Sequence, residues 1–297
     1  RAPVVLAPAM NTNMWEHEAV QRNLQALAAR GVGMVEPGEG FLACGWTGKG
    51  RLAEPADIVA AAERALKPAQ TLRGATVVVS AGPTFEDIDP VRYVGNRSSG
   101  RMGYAIAAEA ARRGAAVTLV SGPTALAAPS GVEVVRVRAA AEMRDAMVAR
   151  ATSADIVVMA AAVADYAPVR APEKITKDAG EMVLRLTRTP DILSELGDRR
   201  ARGEFGDAVL VGFAAETSDV VARAREKRRR KQVDLVVAND VSQADRGFDV
   251  DQNAVTLVTA EDEQGVPLQS KADVARAILD RVEALRAARQ GRVGTKF

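Results

Sequence analysis

One cysteine and one histidine are all that the 297 residues hold of the two side chains most used as metal ligands and nucleophile partners. A single thiol closes no internal disulfide and builds no thiolate zinc site, so a metal would have to rest on carboxylates. It also fits a reducing, cytoplasmic setting. Aromatic residues make up only 4% of the chain, which leaves few platforms for stacking nucleic-acid bases. Neither sign of charge dominates. The balance of 40 Lys and Arg against 38 Asp and Glu is +2, which argues against bulk attachment to nucleic acid or membrane. No apolar run approaches the roughly 18 to 20 residues that span a bilayer. Repeats and low-complexity tracts are missing too. With 47% hydrophobic and 26% charged residues, the remaining picture is a globular chain of one large or two ordinary domains.

The chain begins at Arg1, not Met, and runs straight into "APVVLAPAMN", a strand leading into a loop. That start lacks the pattern of a signal peptide and reads as a cut inside a domain. A strand and loop over Pro3–Asn11, a helix over Glu16–Gly31, a short strand and turn, a glycine-rich loop "FLACGWTGKGRLAEP" and a helix over Pro55–Lys67 follow in order. "PAQTLRG" has turn composition, so the expected division is 1–67, a linker 68–74, a second domain 75–290 and a tail 291–297. In the second domain the apolar runs Thr76–Ser80, Ala116–Ser121, Glu133–Val137, Ala154–Ala160, Ala208–Phe213 and Asp234–Ala238 read as strands. Helical patterns near Gly100–Arg113, Ala140–Ala151, Asp191–Leu196 and Asp219–Arg229 separate them, and a hairpin and a closing helix end the domain. Short apolar strands alternating with amphipathic helices predict an α/β fold, a Rossmann-like, doubly wound, mostly parallel sheet covered on both faces.

Ligands of such sheets sit at the carboxyl ends of the strands. The loops there carry Thr84, Asn96, Ser98, Ser99, Asp165, Lys174, Lys177, Glu216, Asn239 and Asp240. In "VGNRSSGRMG" the glycines precede a small-residue helix, yet ~18 residues separate that helix from its strand, too many for a dinucleotide turn. No Walker A sequence is present. Free N–H groups and two hydroxyls at a helix start suit phosphate; ordinary capping by Ser98 or Ser99 remains the alternative. Lys174 and Lys177 can neutralise phosphate or be plain surface lysines, and "REKRRRK" can touch polyphosphate or be a solvated helix face. "ACGWTGKGR" offers Lys49 and the lone Cys44 on a loop, as an anion-facing flap or as packing. His17 reads as a surface or capping residue. No Ser/His/Asp set can be assembled.

Together "PAMN", "ACGWTGKGR", "SAGPTFEDIDPVRYVGNRSSGRMG", "AAVADY", "PEKITK", "GFAAET" and "DLVVANDVS" resemble the bacterial bifunctional phosphopantothenoylcysteine decarboxylase / phosphopantothenate–cysteine ligase family of coenzyme A biosynthesis, over nearly the whole chain. The resemblance implies that residues 1–67 are the C-terminal part of a flavodoxin-like, FMN-dependent decarboxylase domain. There Asn11 would bind substrate and Cys44 would protonate an enethiolate. The family's catalytic histidine and FMN phosphate loop precede "PAMN", so His17 is not that histidine, and this stretch alone is not expected to decarboxylate. The second domain would ligate 4'-phosphopantothenate to cysteine with CTP and Mg²⁺, through an acyl-cytidylate. The matching motifs give Asn96 to the intermediate, Arg92 to its turnover, Lys174 to its formation, and Ala161 and Asp165 to nucleotide and substrate. Gly82, Ser98 and Ser99 are candidate phosphate-loop residues, Phe213 a nucleotide-pocket residue, and Lys227 and Lys231 triphosphate contacts. No protein ligand of Mg²⁺ can be assigned. A homodimer through the ligase domain, and a larger homo-oligomer of the full-length protein, are implied; a nucleic-acid or membrane partner is not. The competing readings are an NAD(P)-binding Rossmann oxidoreductase, disfavoured by the displaced glycines, and a non-catalytic nucleotide-binding module.

Overall fold

Along Thr76–Ala81 successive side chains go to opposite faces of a sheet: Val77, Val79 and Ala81 enter one core, Val78 another. The same alternation sends Ile156 and Val158 one way and Val157 and Met159 the other. Such strands need cover on both faces. The computed structural model, which describes residues 3–29, 32–42, 45–66, 70–176, 182–240 and 252–293, supplies that cover in the second of its two units, Arg1–Ala69 and Gln70–Phe297.

The sheet of the second unit is built from β1 (Thr76–Ala81), β2 (Ala116–Ser121), β3 (Val132–Arg136), β4 (Ile156–Met159), β5 (Val209–Glu216), β6 (Leu235–Asp240), β7 (Gln252–Val258) and β8 (Glu263–Ser270). Their spatial order is β8-β7-β6-β5-β4-β1-β2-β3. The strands from β3 across to β6 are parallel, whereas β7 and β8 pair antiparallel as the expected hairpin. Helices α1 (Arg101–Arg112) and α5 (Lys271–Val293) pack in the core of one face; α2 (Ala140–Ala151), α3 (Ile192–Ala201) and α4 (Val220–Arg230) pack in the core of the other. The chain leaves β1 toward β2 and leaves β4, its neighbour, in the opposite direction. A crevice therefore opens at their carboxyl ends.

The start of α1 matters most for that crevice, and its far end is anchored. Arg113, with 5% of its side chain exposed, bonds Glu109 at 2.9 Å and pairs with Asp280 and Glu283 of α5 at 2.7 and 2.9 Å. Burial pushes the Glu109 carboxyl up, but Arg112 and Arg113 beside it bring it net below its ordinary range. Leu72, inside the expected linker, is fully buried in the second unit's core.

The long segment after β1 is not plain loop. Phe85–Asp87 pairs antiparallel with Tyr93–Gly95. Phe85 and Tyr93 stack at 3.9 Å, with the Arg138 guanidinium 5.6 and 5.7 Å from their centroids. A second short hairpin joins Tyr166–Pro168 to Leu186–Arg188.

The first unit departs further from expectation. Its leading strand shrinks to Val5–Leu6, parallel to Gly33–Met34. Helices cover Thr12–Glu16, Glu18–Ala29 and Pro55–Leu66. The expected glycine-rich loop is instead a hairpin, Gly38–Phe41 against Thr47–Arg51. The backbone explains this: Leu42 N donates to Trp46 O at 2.7 Å across the turn, and Met10 N donates to Gly50 O at 2.9 Å, seating the "PAMN" loop on the hairpin. Pairing of this kind needs no side-chain pattern, so composition does not betray it. Among the described residues no helix is long and apolar enough to cross a membrane.

Candidate active site

A cavity of about 830 Å³ opens where β4, β5 and β6 end. Its walls are the start of α1 with the residues before it (Asn96–Gly103), the exit of β4 (Met159–Val163), the exit of β5 (Phe213–Ala215) and the last turn of α4. Seven cationic side chains, Arg97, Arg101, Arg188, Lys227, Arg230, Lys231 and Lys271, face two carboxylates, Asp165 and Asp191. That imbalance suits a polyanion held by several phosphate contacts.

The start of α1 is left open by its own sequence. Gly100 occupies the N-cap position with φ 77° and no side chain caps the helix. Capping by Ser98 or Ser99, the alternative kept from the sequence, is therefore corrected. Ser98 Oγ accepts from Gly100 N at 3.2 Å, one residue too early to satisfy the first turn. The N–H groups of Met102 and Gly103 and the positive end of the helix are available to an anion. Gly100 must be glycine for its backbone and its neighbour, since a Cβ there would lie 3.3 Å from Gly82 N. Gly82, itself at φ 78°, lets the chain leaving β1 pass beneath the helix start; it does not line the cavity.

The loop after β4 is fixed by hydrogen bonds from four directions. Ala161 N donates to Ser80 Oγ at 3.1 Å, Ala162 N to Gly82 O at 2.9 Å and Ala164 N to buried Thr84 Oγ1 at 2.9 Å. Thr189 Oγ1 donates to Ala164 O at 2.5 Å. Asn96 joins in: its Nδ2 donates to Val163 O at 2.8 Å, which leaves Oδ1 as an acceptor on the cavity wall. Asn96, Ser98, Ser99, Ala161 and Asp165 thus lie around one space, as do Phe213, Lys227 and Lys231 from the opposite wall.

Lys227 Nζ donates to Phe213 O at 2.6 Å. Burial pushes its amine below the ordinary lysine range, with Glu216 and Asp165 pulling the other way. Asn239, at the end of β6, is a residue that sequence reasoning set among the loop polar groups without choosing it. It lines the cavity, and its Oδ1 is buried with no hydrogen-bond partner. Such an atom costs free energy unless a ligand satisfies it. Nothing in "VVAND" separates that asparagine from an ordinary strand-end residue.

Arg92 and Lys174 do not line the cavity. Arg92 is bound to Asp89 (Nε to Oδ2 at 3.0 Å) and donates through Nη2 to Ile175 O at 2.5 Å. Asp89 Oδ1 accepts from Val91 N and Arg92 N, and Oδ2 from Ile175 N. Burial raises the Asp89 carboxyl, but these N–H donors and the Arg92 charge bring it net below its usual range. One carboxylate therefore ties the "DPVRY" turn to the segment carrying exposed Lys174. In the first unit, Asn11 Oδ1 caps Thr12–Glu16 by accepting from Met14 N at 2.8 Å. His17 is the C-cap of the same helix, and its Nδ1 accepts from Ala19 N at 3.2 Å. Cys44 and Lys177 lie outside the described residues.

Two family models match the chain: "DNA/pantothenate metabolism flavoprotein C-terminal domain" over residues 72–285 and "Flavoprotein" over 1–67. The chain is similar to the coenzyme A biosynthesis bifunctional protein CoaBC of Bacillus subtilis, 46% identical over 289 residues that cover 96% of this chain and 70% of that one. The solved C-terminal domain of a CoaBC protein is 40% identical, with a TM-score of 0.62, covering 73% of this chain and 98% of that domain. A Cab2 mutant in complex with phosphopantothenate-cysteine, 16% identical, shares the fold at a TM-score of 0.62, covering 75% of this chain and 90% of that one.

Proposed function

This chain belongs to the family of coenzyme A biosynthesis bifunctional proteins, and on that premise we propose that its second unit ligates 4'-phosphopantothenate to cysteine with CTP as the activating nucleotide. The observation that carries the reading is the cavity itself, in which an uncapped helix start, a ring of cations and the fixed Ala161–Asp165 loop surround one space. The phosphopantothenate carboxylate attacks the α-phosphorus of CTP; the bond to the β-phosphate breaks and pyrophosphate leaves. The cysteine amine then attacks the acyl carbon of the mixed anhydride, CMP leaves, and the amide remains. No strong base is needed for the first step, because the carboxylate is already an anion near neutral pH. The protein's task is to position two anions against each other and neutralise them.

The helix start with Ser98 and Ser99 holds phosphate, Lys227 and Lys231 hold the outer phosphates, and Phe213 bounds the nucleotide. Asn239 Oδ1 accepts from that nucleotide. Asn96 Oδ1 accepts from the incoming amine, while Asp165 and Ala161 border the pantothenate. Lys174 neutralises charge during formation of the anhydride, and Arg92, linked to the same segment through Ile175, acts in its turnover. Gly82 serves the phosphate site by letting the helix start approach. Magnesium fits as an ion bound mainly to phosphate and water, since among the described residues no three His, Cys, Asp or Glu side chains gather.

The flavoprotein stretch contributes to FMN-dependent decarboxylation of the ligation product in the full-length protein. Asn11 fits a substrate carboxylate there, because its exposed Nδ2 has no partner among the described residues; Cys44 would protonate the enethiolate. For the ligase unit we place a second copy against the exposed apolar residues of the two short hairpins and the chain beside them: Val91 (61% exposed), Val169 (81%) and Val183 (81%). Light scattering should give the mass of a dimer, lowered by Val169→Asp; a monomer at micromolar concentration would refute the interface. The ligation itself is tested by its products. Labelled CTP should give pyrophosphate and CMP in step with cysteine consumption, and release of CDP and phosphate would overturn the acyl-cytidylate route.

A further inference from the structure

Lys231 is the C-cap of α4 and faces the cavity with only 9% of its side chain exposed. Its ammonium donates to Asp191 Oδ2. Asp191 belongs to another element: it is the N-cap of α3, where its Oδ1 accepts from Ser194 N at 3.1 Å. One carboxylate therefore holds both a helix start and a buried lysine. The two helices meet backbone to backbone at this point, since a Cβ on Gly197 of α3 would overlap the Lys231 carbonyl oxygen. That contact fixes the distance between Asp191 and Lys231 through the packing of the fold, not through two flexible side chains.

We propose that Asp191 is a positioning residue for the ligation, holding Lys231 charged and aimed into the cavity before the nucleotide arrives. The inference rests on the reading of Lys231 as a phosphate contact. Its physical basis is the cost of burying an ammonium group, which an adjacent anion offsets. The charged groups facing Lys231 are Asp191 at the start of α3, Asp165 on the loop after β4, and Lys227 and Arg230 on its own helix. Burial pushes the Lys231 amine down and Asp165 pulls it up. Without Asp191, the amine should release its proton at lower pH. The lysine then loses its attraction for phosphate in the alkaline range first, while at acid pH it stays charged with or without its partner.

Asn and Ser both keep the N-cap of α3 and remove the carboxylate, which separates the electrostatic role from the structural one. CTP affinity is measured by calorimetry for the wild-type chain, Asp191→Asn and Asp191→Ser, each compared at the same pH. At about pH 6 both variants should bind within about twofold of wild type; at about pH 9 they should bind roughly tenfold more weakly, the result expected when the variants' lysine has lost its proton and the wild-type lysine has kept it. Adding Lys231→Arg to Asp191→Asn should remove the alkaline loss, because a guanidinium stays charged. An equal loss at both pH values would make Asp191 merely structural and overturn the proposal. Tighter binding by Asp191→Asn would overturn it too, showing a carboxylate that only repels the nucleotide. If Lys231→Ala leaves CTP affinity at the wild-type value, the phosphate reading of Lys231 falls and this proposal with it; loss in Lys231→Ala with no change in Asp191→Asn defeats the proposal alone.

Discussion

Replacing Asn96 by Asp should leave the first half-reaction running and stall the second, so that acyl-cytidylate accumulates and cysteine ligation falls roughly 100-fold, the usual cost of misplacing a reacting group. The amide does two things that a carboxylate cannot. Its Nδ2 donates to Val163 O at 2.8 Å and so holds the helix start to the loop after β4. Its Oδ1 is kept as a neutral acceptor on the cavity wall, where the incoming amine is placed. Aspartate would set an oxygen against the Val163 carbonyl and add negative charge where negative charge must be stabilised. Lys174→Gln should give the complementary defect, no pyrophosphate burst at all, because its charge is assigned to formation of the anhydride. Quenched-flow analysis of the bound nucleotide separates the two. Unchanged turnover in both variants would remove the site assignment.

Gly103→Val carries the second large expected effect. Gly103 sits in the first turn of α1, and a Cβ there would lie 2.6 Å from Ala81 Cβ and 2.9 Å from Ser80 O. Those atoms belong to β1, an interior strand of a close-packed sheet, so the helix has to move rather than the strand. Overpacking of this kind costs about 1–3 kcal/mol. The larger consequence is functional, since a displacement of about 1 Å at the helix start misaligns its N–H groups and costs on the order of 100-fold in rate. Gly206→Ala is the control: a Cβ there meets nothing within 4 Å, and both melting temperature and rate should stay at wild type. A Gly103→Val chain with full activity would show that the helix start does not hold the reacting phosphate.

The parts of this architecture that periodicity could reveal were legible. The parallel strands were visible as short apolar runs because all but β3, at the sheet edge, are largely buried on both faces, and the hairpin β7–β8 because β7 alternates. The hairpins Phe85–Asp87 with Tyr93–Gly95 and Tyr166–Pro168 with Leu186–Arg188 were not, since three residues are too few to show a period. The helix start was legible as a place but not as a mechanism. "NRSSG" offers two serines that look like caps, and the decision for Gly100 depends on a backbone angle. Asp191 and Lys231 lie forty residues apart in the sequence, and only the packing of α3 on α4 makes them partners. The buried Oδ1 of Asn239 was likewise invisible, because an unsatisfied acceptor exists only relative to what surrounds it.

The most direct test of the account withholds cysteine. One equivalent of radiolabelled CTP, with phosphopantothenate and magnesium, is mixed with an excess of the chain and quenched in acid. Pyrophosphate should be released in a burst that depends on phosphopantothenate, with the label retained as an acyl-cytidylate until cysteine is added, whereupon CMP appears. Pyrophosphate release that requires cysteine from the outset, or release of phosphate in place of pyrophosphate, would contradict it.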